Sequence, residues 1–136
     1  MARWTVKQIA AMPTVSDLGP NDPTWYPLQR VLGIDNFGAN LFVASCAGQI
    51  LVEDHDECGS GQQELYLVLE GEAVFRLDDE EIHLTRRTAL AVTDPSVRRS
   101  ATALTAETAL LVIGAGVTPF ASTWNPRHFR DIPRPD

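Results

Sequence analysis

A succession of short runs rich in β-branched, aromatic and leucine residues, separated by turn-forming residues, most constrains the fold of this chain. The runs begin after Phe37, and Gly, Pro, Asp or Ser separates most of them. No extended window keeps the 3.6-residue apolar period of an amphipathic helix. Regular spacing of short strands is typical of an antiparallel sandwich or barrel, so we predict an all-β fold. The predicted strands are Asn40–Ala47, Gln49–Glu53, Glu64–Leu69, Ala73–Leu77, Glu81–Leu84, Ala89–Thr93, Val97–Leu104 and Thr108–Gly114.

The length of 136 residues fits one domain, and a hydrophobic content of 44% is enough for a core. Residues 11–27 hold four prolines and are expected to form an irregular arm over the domain. In the proline-rich end of the chain, Trp124 and Phe129 are expected to pin the tail to the barrel or to a second subunit. The single domain of 1–136 is thus divided into an N-terminal arm with the first strands (1–36), a barrel core (37–116) and a C-terminal tail (117–136).

The charge balance argues against some classes of partner. With 11 basic and 18 acidic side chains, the formal net charge is −7, which disfavours nucleic acids and anionic membranes. No apolar run approaches the length of about 20 residues that a membrane span needs, and no secretory signal is recognisable. We therefore expect a cytoplasmic protein with reduced thiols. Cys46 lies in an apolar run and is expected to be packed, whereas Cys58 lies in an acidic loop whose carboxylates should raise the pKa of its thiol.

The stretch from His55 to Gly71, HDECGSGQQELYLVLEG, concentrates groups that can bind a metal or a ligand. Alternate residues of a strand share a face, so His55 and Glu57 form one candidate pair, and Glu64 and Tyr66 form another on the next strand. If the two strands are neighbours, one imidazole and two carboxylates converge. Such a set suits a borderline divalent ion such as Mn, Fe, Ni or Zn.

This stretch resembles the first motif of the cupin superfamily, G-x5-H-x-H-x3,4-E-x6-G. Glu64 and Gly71 have the motif's spacing, whereas Gly48 precedes His55 by one residue more than the motif asks. Glu57 stands where the second histidine belongs, and it lies two or three residues too far from Glu64. By this resemblance the fold is a double-stranded β-helix, the jelly-roll barrel of cupins.

The segment ALAVTDPSVRRSATA is similar to the second cupin motif, G-x5-P-x-G-x2-H-x3-N. Pro95 takes the proline position, while Ala89, Val97 and Leu104 replace the two glycines and the asparagine. Ser100 occupies the position of the last metal-binding histidine. Because a hydroxyl is a poor ligand for a transition metal, the resemblance implies that any metal is held less tightly here.

The chain most closely resembles a group of small, single-domain bacterial cupins without assigned function. The similarity extends from about Leu28 to Trp124. It implies the fold, but a cupin barrel hosts many activities, among them dioxygenases, isomerases and sensor domains. The segments that carry the similarity are Leu32-Gly33-Ile34, Phe37-Gly38-Ala39-Asn40, His55-Asp56-Glu57, Glu64-Leu65-Tyr66, Asp94-Pro95-Ser96-Val97-Arg98-Arg99, Thr108-Ala109-Leu110-Leu111 and Ser122-Thr123-Trp124.

Arg98 has the same strand parity as Ser100, so both are expected to face the cavity if Ser100 replaces an inward histidine. We hypothesise that a Glu64–Arg98 ion pair takes the place of the metal. Alternatively, Arg98 holds the carboxylate of a small ligand in bidentate geometry. Tyr66 is either a core aromatic residue with a hydrogen-bonded hydroxyl or a pocket residue that orients a substrate.

Two classes of function stay open at this point, beside the alternative of a purely structural dimer. The first is a binding or sensing module with a polar pocket and no cofactor. The second is a metal-dependent enzyme of dioxygenase or isomerase type that uses His55, Glu57 and Glu64, with catalytic residues otherwise unknown. Strands that are apolar on both faces, such as Leu65–Leu69, predict a homodimer formed by sheet packing. The predicted pocket residues are His55, Glu57, Glu64, Tyr66, Arg98 and Ser100.

Overall fold

A computed structural model describes residues 3–119, 123 and 125–135. These residues form nine β-strands, one short α-helix (α1, Leu28–Leu32) and two 3-10 turns (Ile9–Ala11 and Pro126–Phe129). Among them, no helix is long and apolar enough to cross a membrane. The strands are β1 (Thr24–Tyr26), β2 (Gly38–Val43), β3 (Ile50–His55), β4 (Gln63–Glu70), β5 (Ala73–Leu77), β6 (Glu80–Leu84), β7 (Ala89–Val92), β8 (Arg99–Ala103) and β9 (Ala109–Ala115).

The strands pair into two antiparallel sheets with the orders β1-β2-β9-β4-β7 and β3-β8-β5-β6. Alternate residues of each strand point between the sheets, as the period of a β-strand requires. Val68 and Leu110 enter the core from the first sheet, and Phe75 and Ala101 enter it from the second. The rings of Tyr66 and Phe75 meet edge to face, with centroids 5.1 Å apart, and join the two sheets. The all-β jelly-roll architecture predicted from the sequence is confirmed.

Every predicted strand is present, with ends that differ by a few residues at most. The N-terminal arm is more regular than expected, because Thr24–Tyr26 pairs with β2 and places Trp25 opposite Phe42. The prolines before and after this segment argued against a strand. They are compatible with an edge strand, because such a strand forms ladder hydrogen bonds along one side only. The arm then enters α1, whose Gln29 side chain accepts a hydrogen bond from the Ala39 amide at 2.7 Å.

Two further expectations from the sequence concern Cys46 and the C-terminal tail. Cys46 is exposed, so the expectation that it packs as a small hydrophobic residue is wrong. Its apolar run ends with β2 at Val43, and Cys46 lies in the following turn. At the other end of the chain, Phe129 contacts the ring of His128, whereas Trp124 lies outside the described residues. Attachment of the tail to the barrel or to a second subunit therefore stays a prediction.

Candidate ligand-binding site

A cavity of about 490 Å³ lies between the first sheet and β3 of the second. Its walls come from β1, β2, β3, β4 and β9, with a contribution from the N-terminal arm. One part of the wall is apolar and includes Trp25, Phe42 and Val112. Another part is polar and includes His55, Glu57 and Glu64. A cavity with an apolar wall and a few convergent polar groups is typical of a small-molecule site.

The three polar side chains that the sequence singled out lie together. His55 ends β3, Glu57 follows two residues later, and Glu64 is the second residue of β4. One ligand atom from each lies within 4.8 Å of the others. His55 Nε2 is 3.1 Å from Oε1 of Glu57 and 3.8 Å from Oε1 of Glu64. The geometry brings together an imidazole and two carboxylates, and their role as metal or ligand contacts stays a prediction.

Irregular pairing of β3 with β8 sets the position of His55. The register shifts between Ile50 and Val52 and again between Val52 and His55, which brings His55 opposite Arg99. Such bulges bend and twist a strand and re-aim the side chains beyond them. No feature of the sequence predicts these two register shifts, because they depend on how β3 pairs with β8.

Both ring nitrogens of His55 contact oxygen atoms. Nδ1 lies 2.6 Å from the carbonyl oxygen of Glu53, and Nε2 lies 3.1 Å from Oε1 of Glu57. The imidazole is therefore held from both sides, by the backbone of β3 and by the carboxylate of Glu57.

Glu57 is held in place by the loop that follows β3. Its Oε2 accepts a hydrogen bond from the hydroxyl of Ser60. Its backbone amide donates to the carbonyl of Pro95 at 2.8 Å, and its carbonyl accepts from the Gly61 amide at 2.7 Å. The Gly-Ser-Gly loop thus orients one carboxylate toward the cavity.

Glu64 is fixed by two donors from the interior of the barrel. Its Oε1 accepts a hydrogen bond from the Tyr66 hydroxyl at 2.6 Å and another from Nη1 of Arg99 at 2.7 Å. Both Tyr66 and Arg99 are fully buried. Burial, and then the hydrogen bond to Glu64, raise the pKa of Tyr66, so its hydroxyl remains a donor. Burial lowers the pKa of Arg99, but the Glu64 carboxylate and Tyr66 more than offset this effect, so the pKa of Arg99 is raised.

Two further nitrogens of the Arg99 guanidinium donate to the backbone. Nε and Nη2 donate to the carbonyl of Val97 at 3.0 and 2.8 Å, and Nη2 also approaches the carbonyls of Asp94 and Pro95 at 3.4 and 3.5 Å. The buried guanidinium offsets the burial of Glu64 and positions it. Arg99 does not line the cavity itself.

The hypothesised Glu64–Arg98 pair is wrong by one residue. The Arg98 side chain is 57% exposed and lies 3.0 Å from the carboxylate of Asp54, and it does not line the cavity. The same geometry removes Arg98 as a group that could hold a ligand's carboxylate in this cavity. Ser100 pairs in register with Arg76 on the outward-facing parity of β8, so it too is absent from the cavity wall.

The alternation of apolar residues in this segment indicates correctly which side chains face the core. Val97, Ala101 and Ala103 are apolar and lie inward, and Arg99 shares their parity. Counting from Pro95 along the cupin motif gave the opposite parity. The turn at Asp94 decides the matter, because its carbonyl accepts from the Val97 amide at 3.1 Å and aims Val97 at the core. A rule based on alternate apolar residues would have selected Arg99.

The aromatic wall of the cavity was also missed from the sequence. Trp25 and Phe42 have ring centroids 5.5 Å apart, and Trp25 Nε1 donates to the side-chain oxygen of Asn40 at 2.7 Å. Asn40 lies in β2, as the predicted strand Asn40–Ala47 implies, and it holds the indole on the cavity side.

The thiol of Cys58 lies beside this site but is not activated. Desolvation, and then the charge of Asp56, raise the pKa of Cys58. The Cys58 amide in turn donates to Asp56 at 3.0 Å and lowers the pKa of that carboxyl. The direction predicted from the acidic loop is therefore confirmed.

Known proteins resemble this chain in structure and not detectably in sequence. No family model matches the chain, and no curated protein matches it. A cupin protein from Bacteroides fragilis superposes with a TM-score of 0.66 at 18% identity, over 91% of this chain and 93% of that chain. A cupin superfamily protein from Desulfitobacterium hafniense superposes with a TM-score of 0.61 at 23% identity, over 85% of this chain and 100% of that chain.

The chain has the cupin fold. Another similar structure is named a sugar phosphate isomerase from a cupin superfamily, from Silicibacter pomeroyi, with a TM-score of 0.60 at 18% identity over 78% of this chain and 70% of that chain. At these identities the likeness establishes the architecture of this chain. What the barrel binds has to be argued from its own side chains.

Proposed function

We propose that this cupin binds a small organic molecule in the cavity between its sheets. The observation that carries the proposal is a cavity of about 490 Å³ whose polar wall presents His55, Glu57 and Glu64. Small-molecule pockets usually measure about 300–1,000 Å³ and combine apolar walls with a few placed polar groups.

Preorganisation supports this proposal. Each of the three polar groups is held by its own protein contact: His55 by the Glu53 carbonyl, Glu57 by Ser60, and Glu64 by Tyr66 and Arg99. A ligand that meets groups already in position loses less free energy to their ordering. A binding site requires its contact groups to be held in place by supporting residues in this way.

A thermal-shift screen with a metabolite library tests the proposal. We compare the wild-type protein with Trp25→Ala, which opens the aromatic wall, and with Trp4→Ala as a matched control in the exposed part of the arm. Each protein is compared with its own unliganded Tm. A true ligand raises the Tm of the wild type and of Trp4→Ala by several degrees, and raises that of Trp25→Ala much less. A library in which every hit shifts Trp25→Ala equally would contradict binding in this cavity.

A metal-dependent enzyme is the second candidate, and one cluster of three side chains favours it. His55, Glu57 and Glu64 supply one nitrogen and two carboxylate oxygens within 4.8 Å, a donor set that fits Mn, Fe, Ni or Zn. A divalent ion there would act as a Lewis acid or activate a bound substrate. Arg99 opposes this candidate, because its charge lies 2.7 Å from Glu64 Oε1 and competes for the same carboxylate.

Elemental mass spectrometry of protein purified without a tag or chelator tests this candidate. The informative variant is Glu57→Gln, because removal of Glu64 would leave Arg99 without its partner and confuse folding with binding. Glu80→Gln, on the exposed start of β6, is the matched control. One equivalent of metal in the wild type and control, and little in Glu57→Gln, would support the enzyme candidate. Absence of metal from all three after incubation with Mn, Fe, Ni and Zn would exclude it.

A further inference from the structure

We infer that the ligand of this cavity carries an aromatic ring and no phosphate or carboxylate group. The ring packs against Trp25 and Phe42, and the charges of the cavity wall reject an anionic group. This inference rests on the proposed binding function and names the class of ligand.

Two aromatic rings form one corner of the cavity. Trp25 on the edge strand β1 pairs in register with Phe42 on β2, and both side chains line the cavity. Their ring centroids are 5.5 Å apart and their planes are inclined by 39°, so the two rings meet at an angle. Aromatic rings prefer offset-stacked or edge-to-face contacts at centroid separations of about 4.5–7 Å. A third ring, supplied by a ligand, can make such contacts with both walls of the corner.

The indole of Trp25 is held in one orientation by the protein. Its Nε1 donates a hydrogen bond to the side-chain oxygen of Asn40 at 2.7 Å, and Asn40 lies on β2 two residues before Phe42. An indole has a single N–H donor, and here that donor is directed at Asn40. Trp25 therefore presents its ring to a ligand rather than a hydrogen bond, which favours an aromatic group at this position.

The side chains that line the cavity provide no counter-charge for an anion. Among the residues that the structure describes, no lysine or arginine lines the cavity, whereas Asp22 and Glu53 add acidic groups to it. Both ring nitrogens of His55 already contact oxygen atoms of Glu53 and Glu57. A phosphate or carboxylate would lose its hydration here and meet groups of like charge, and both effects are unfavourable.

Two arginines lie near the cavity, and each is paired with a carboxylate of its wall. Arg98 Nε lies 3.0 Å from Oδ1 of Asp54, and Arg99 Nη1 lies 2.7 Å from Oε1 of Glu64. An anionic ligand would have to draw one of these guanidinium groups away from its carboxylate. The carboxylate would then lack its partner, at greatest cost for the fully buried Arg99. A ligand without an anionic group leaves both pairs intact.

Isothermal titration with three probes of similar shape tests the inference. The probes are 2-naphthylmethanol, its saturated counterpart decahydro-2-naphthylmethanol, and 2-naphthoate, and the protein is first stripped of metal with EDTA. We expect the aromatic alcohol to bind several-fold more tightly than the saturated alcohol, because only the former makes ring–ring contacts. Naphthoate should bind at least about tenfold more weakly than the aromatic alcohol.

One pair of variants tests the ring contact. Trp25→Leu keeps an apolar side chain and removes the aromatic one, so it should abolish the preference for the aromatic alcohol. Trp4→Leu is the matched control, because Trp4 is exposed in the N-terminal arm and does not line the cavity, and it should preserve that preference.

A second pair of variants tests the exclusion of anions. Ile50 lines the cavity and is 44% exposed, so a longer polar side chain can be accommodated there. Ile50→Arg adds a cation to the wall and should allow naphthoate to bind. Ile50→Gln adds polarity without charge and should not.

The outcomes separate this inference from the proposed function. Equal binding of the two alcohols to the wild type, or an unchanged preference in Trp25→Leu, would overturn the ring contact. Naphthoate that binds the wild type as tightly as the aromatic alcohol, in the stripped protein or after Zn is restored, would overturn the exclusion of anions. Failure of naphthoate to bind Ile50→Arg would show that charge is not what excludes it.

The metabolite library provides the remaining distinction. If the library yields ligands that bind through Trp25 and these are anionic or lack an aromatic ring, the inference fails and the proposed function stands. If the probes do not bind, the inference holds only when the library ligands are aromatic and carry no anionic group. If neither the probes nor the library bind in the cavity, both proposals fail.

Discussion

At the scale of single residues, the position of one carboxylate depends on two buried partners. Glu64 faces the cavity because Tyr66 and Arg99 both donate to its Oε1. The motif comparison had suggested Arg98 for this task, and that residue lies outside with Asp54. Two consecutive arginines thus have different environments, since neighbouring residues of a strand point to opposite faces.

Replacement of Arg99 by methionine should be strongly destabilising. Methionine keeps much of the side-chain volume but leaves Glu64 and several backbone carbonyls without their donor, and breaking a buried pair in this way costs about 3–5 kcal/mol. Urea unfolding followed by circular dichroism measures the free energy of unfolding.

Arg98→Met is the matched control for Arg99→Met. Its ion pair is exposed, and such pairs contribute about 0–1 kcal/mol. Equal losses from the two substitutions would show that the assignment of Arg99 as the buried partner is incorrect.

At the scale of elements, turns and strand ends depend on two glycines with different roles. Gly71 follows β4 with φ of 76°, and a Cβ there would lie 2.8 Å from the Cα of Thr108. Gly114 lies in β9 beside Glu64, where a Cβ would lie 2.7 Å from the side-chain oxygen of Gln62. The first contact is with the backbone and the second is with the flexible end of a side chain.

Gly71→Ala should therefore cost more than its backbone conformation alone explains. The positive φ disfavours alanine by roughly 1 kcal/mol, and the collision with Thr108 adds about 1–3 kcal/mol of overpacking. Gly33→Ala is the control, because Gly33 has a similar φ of 73° and no atom near the added Cβ. Thermal unfolding of both variants separates the conformational contribution from the steric one. A loss of stability in Gly33→Ala as large as that in Gly71→Ala would rule out the steric contribution.

Gly114→Ala should change binding more than stability. The added methyl would lie 2.7 Å from Oε1 of Gln62, so the Gln62 side chain, which lines the cavity with Glu64, has to move. The three atoms nearest to the methyl all belong to side chains, so the backbone is not displaced. We expect a stability loss below about 1 kcal/mol and a several-fold weaker Kd for any ligand of the cavity. Gly38→Ala, on the neighbouring strand, is the control. A Cβ at Gly38 would lie 3.7 Å from the nearest atom, so this substitution should leave the Kd unchanged. A Kd unaffected by Gly114→Ala would place the ligand away from Glu64.

At the scale of the whole molecule, the outer face of the five-stranded sheet is apolar. Leu65 and Leu69 are each 38% exposed, and Leu67, Leu111 and Ile113 lie partly exposed beside them. This is the face that led us to expect a homodimer from the sequence, and the dimer stays a prediction.

Light scattering coupled to size exclusion tests the dimer. We expect the wild-type protein to elute at twice its chain mass and Leu65→Lys to elute as a monomer with an unchanged fold. Leu104→Lys is the control, since Leu104 is similarly exposed but lies outside the five-stranded sheet. A monomeric wild type at micromolar concentration would contradict the prediction.

The sequence by itself determined what depends on local geometry. Short runs bounded by turn residues specify strands, and the period of two places Glu64 with Tyr66 and His55 with Glu57, because covalent geometry alone turns successive side chains to opposite faces. The alternation of Val97, Ala101 and Ala103 even contained the inward parity of Arg99. The sequence therefore grouped His55, Glu57 and Glu64, which the structure brings together. It also selected Arg98 in place of Arg99 and missed the aromatic wall of the cavity.

Only the tertiary structure decided which groups meet. Glu64 and Arg99 are 35 positions apart, and their contact requires the two sheets to be packed against each other. The bulges of β3 that aim His55 arise from pairing with β8, and Trp25 enters the cavity because an edge strand between prolines joins β2. These features depend on contacts between distant segments, whose free energy of packing and hydrogen bonding outweighs local preference.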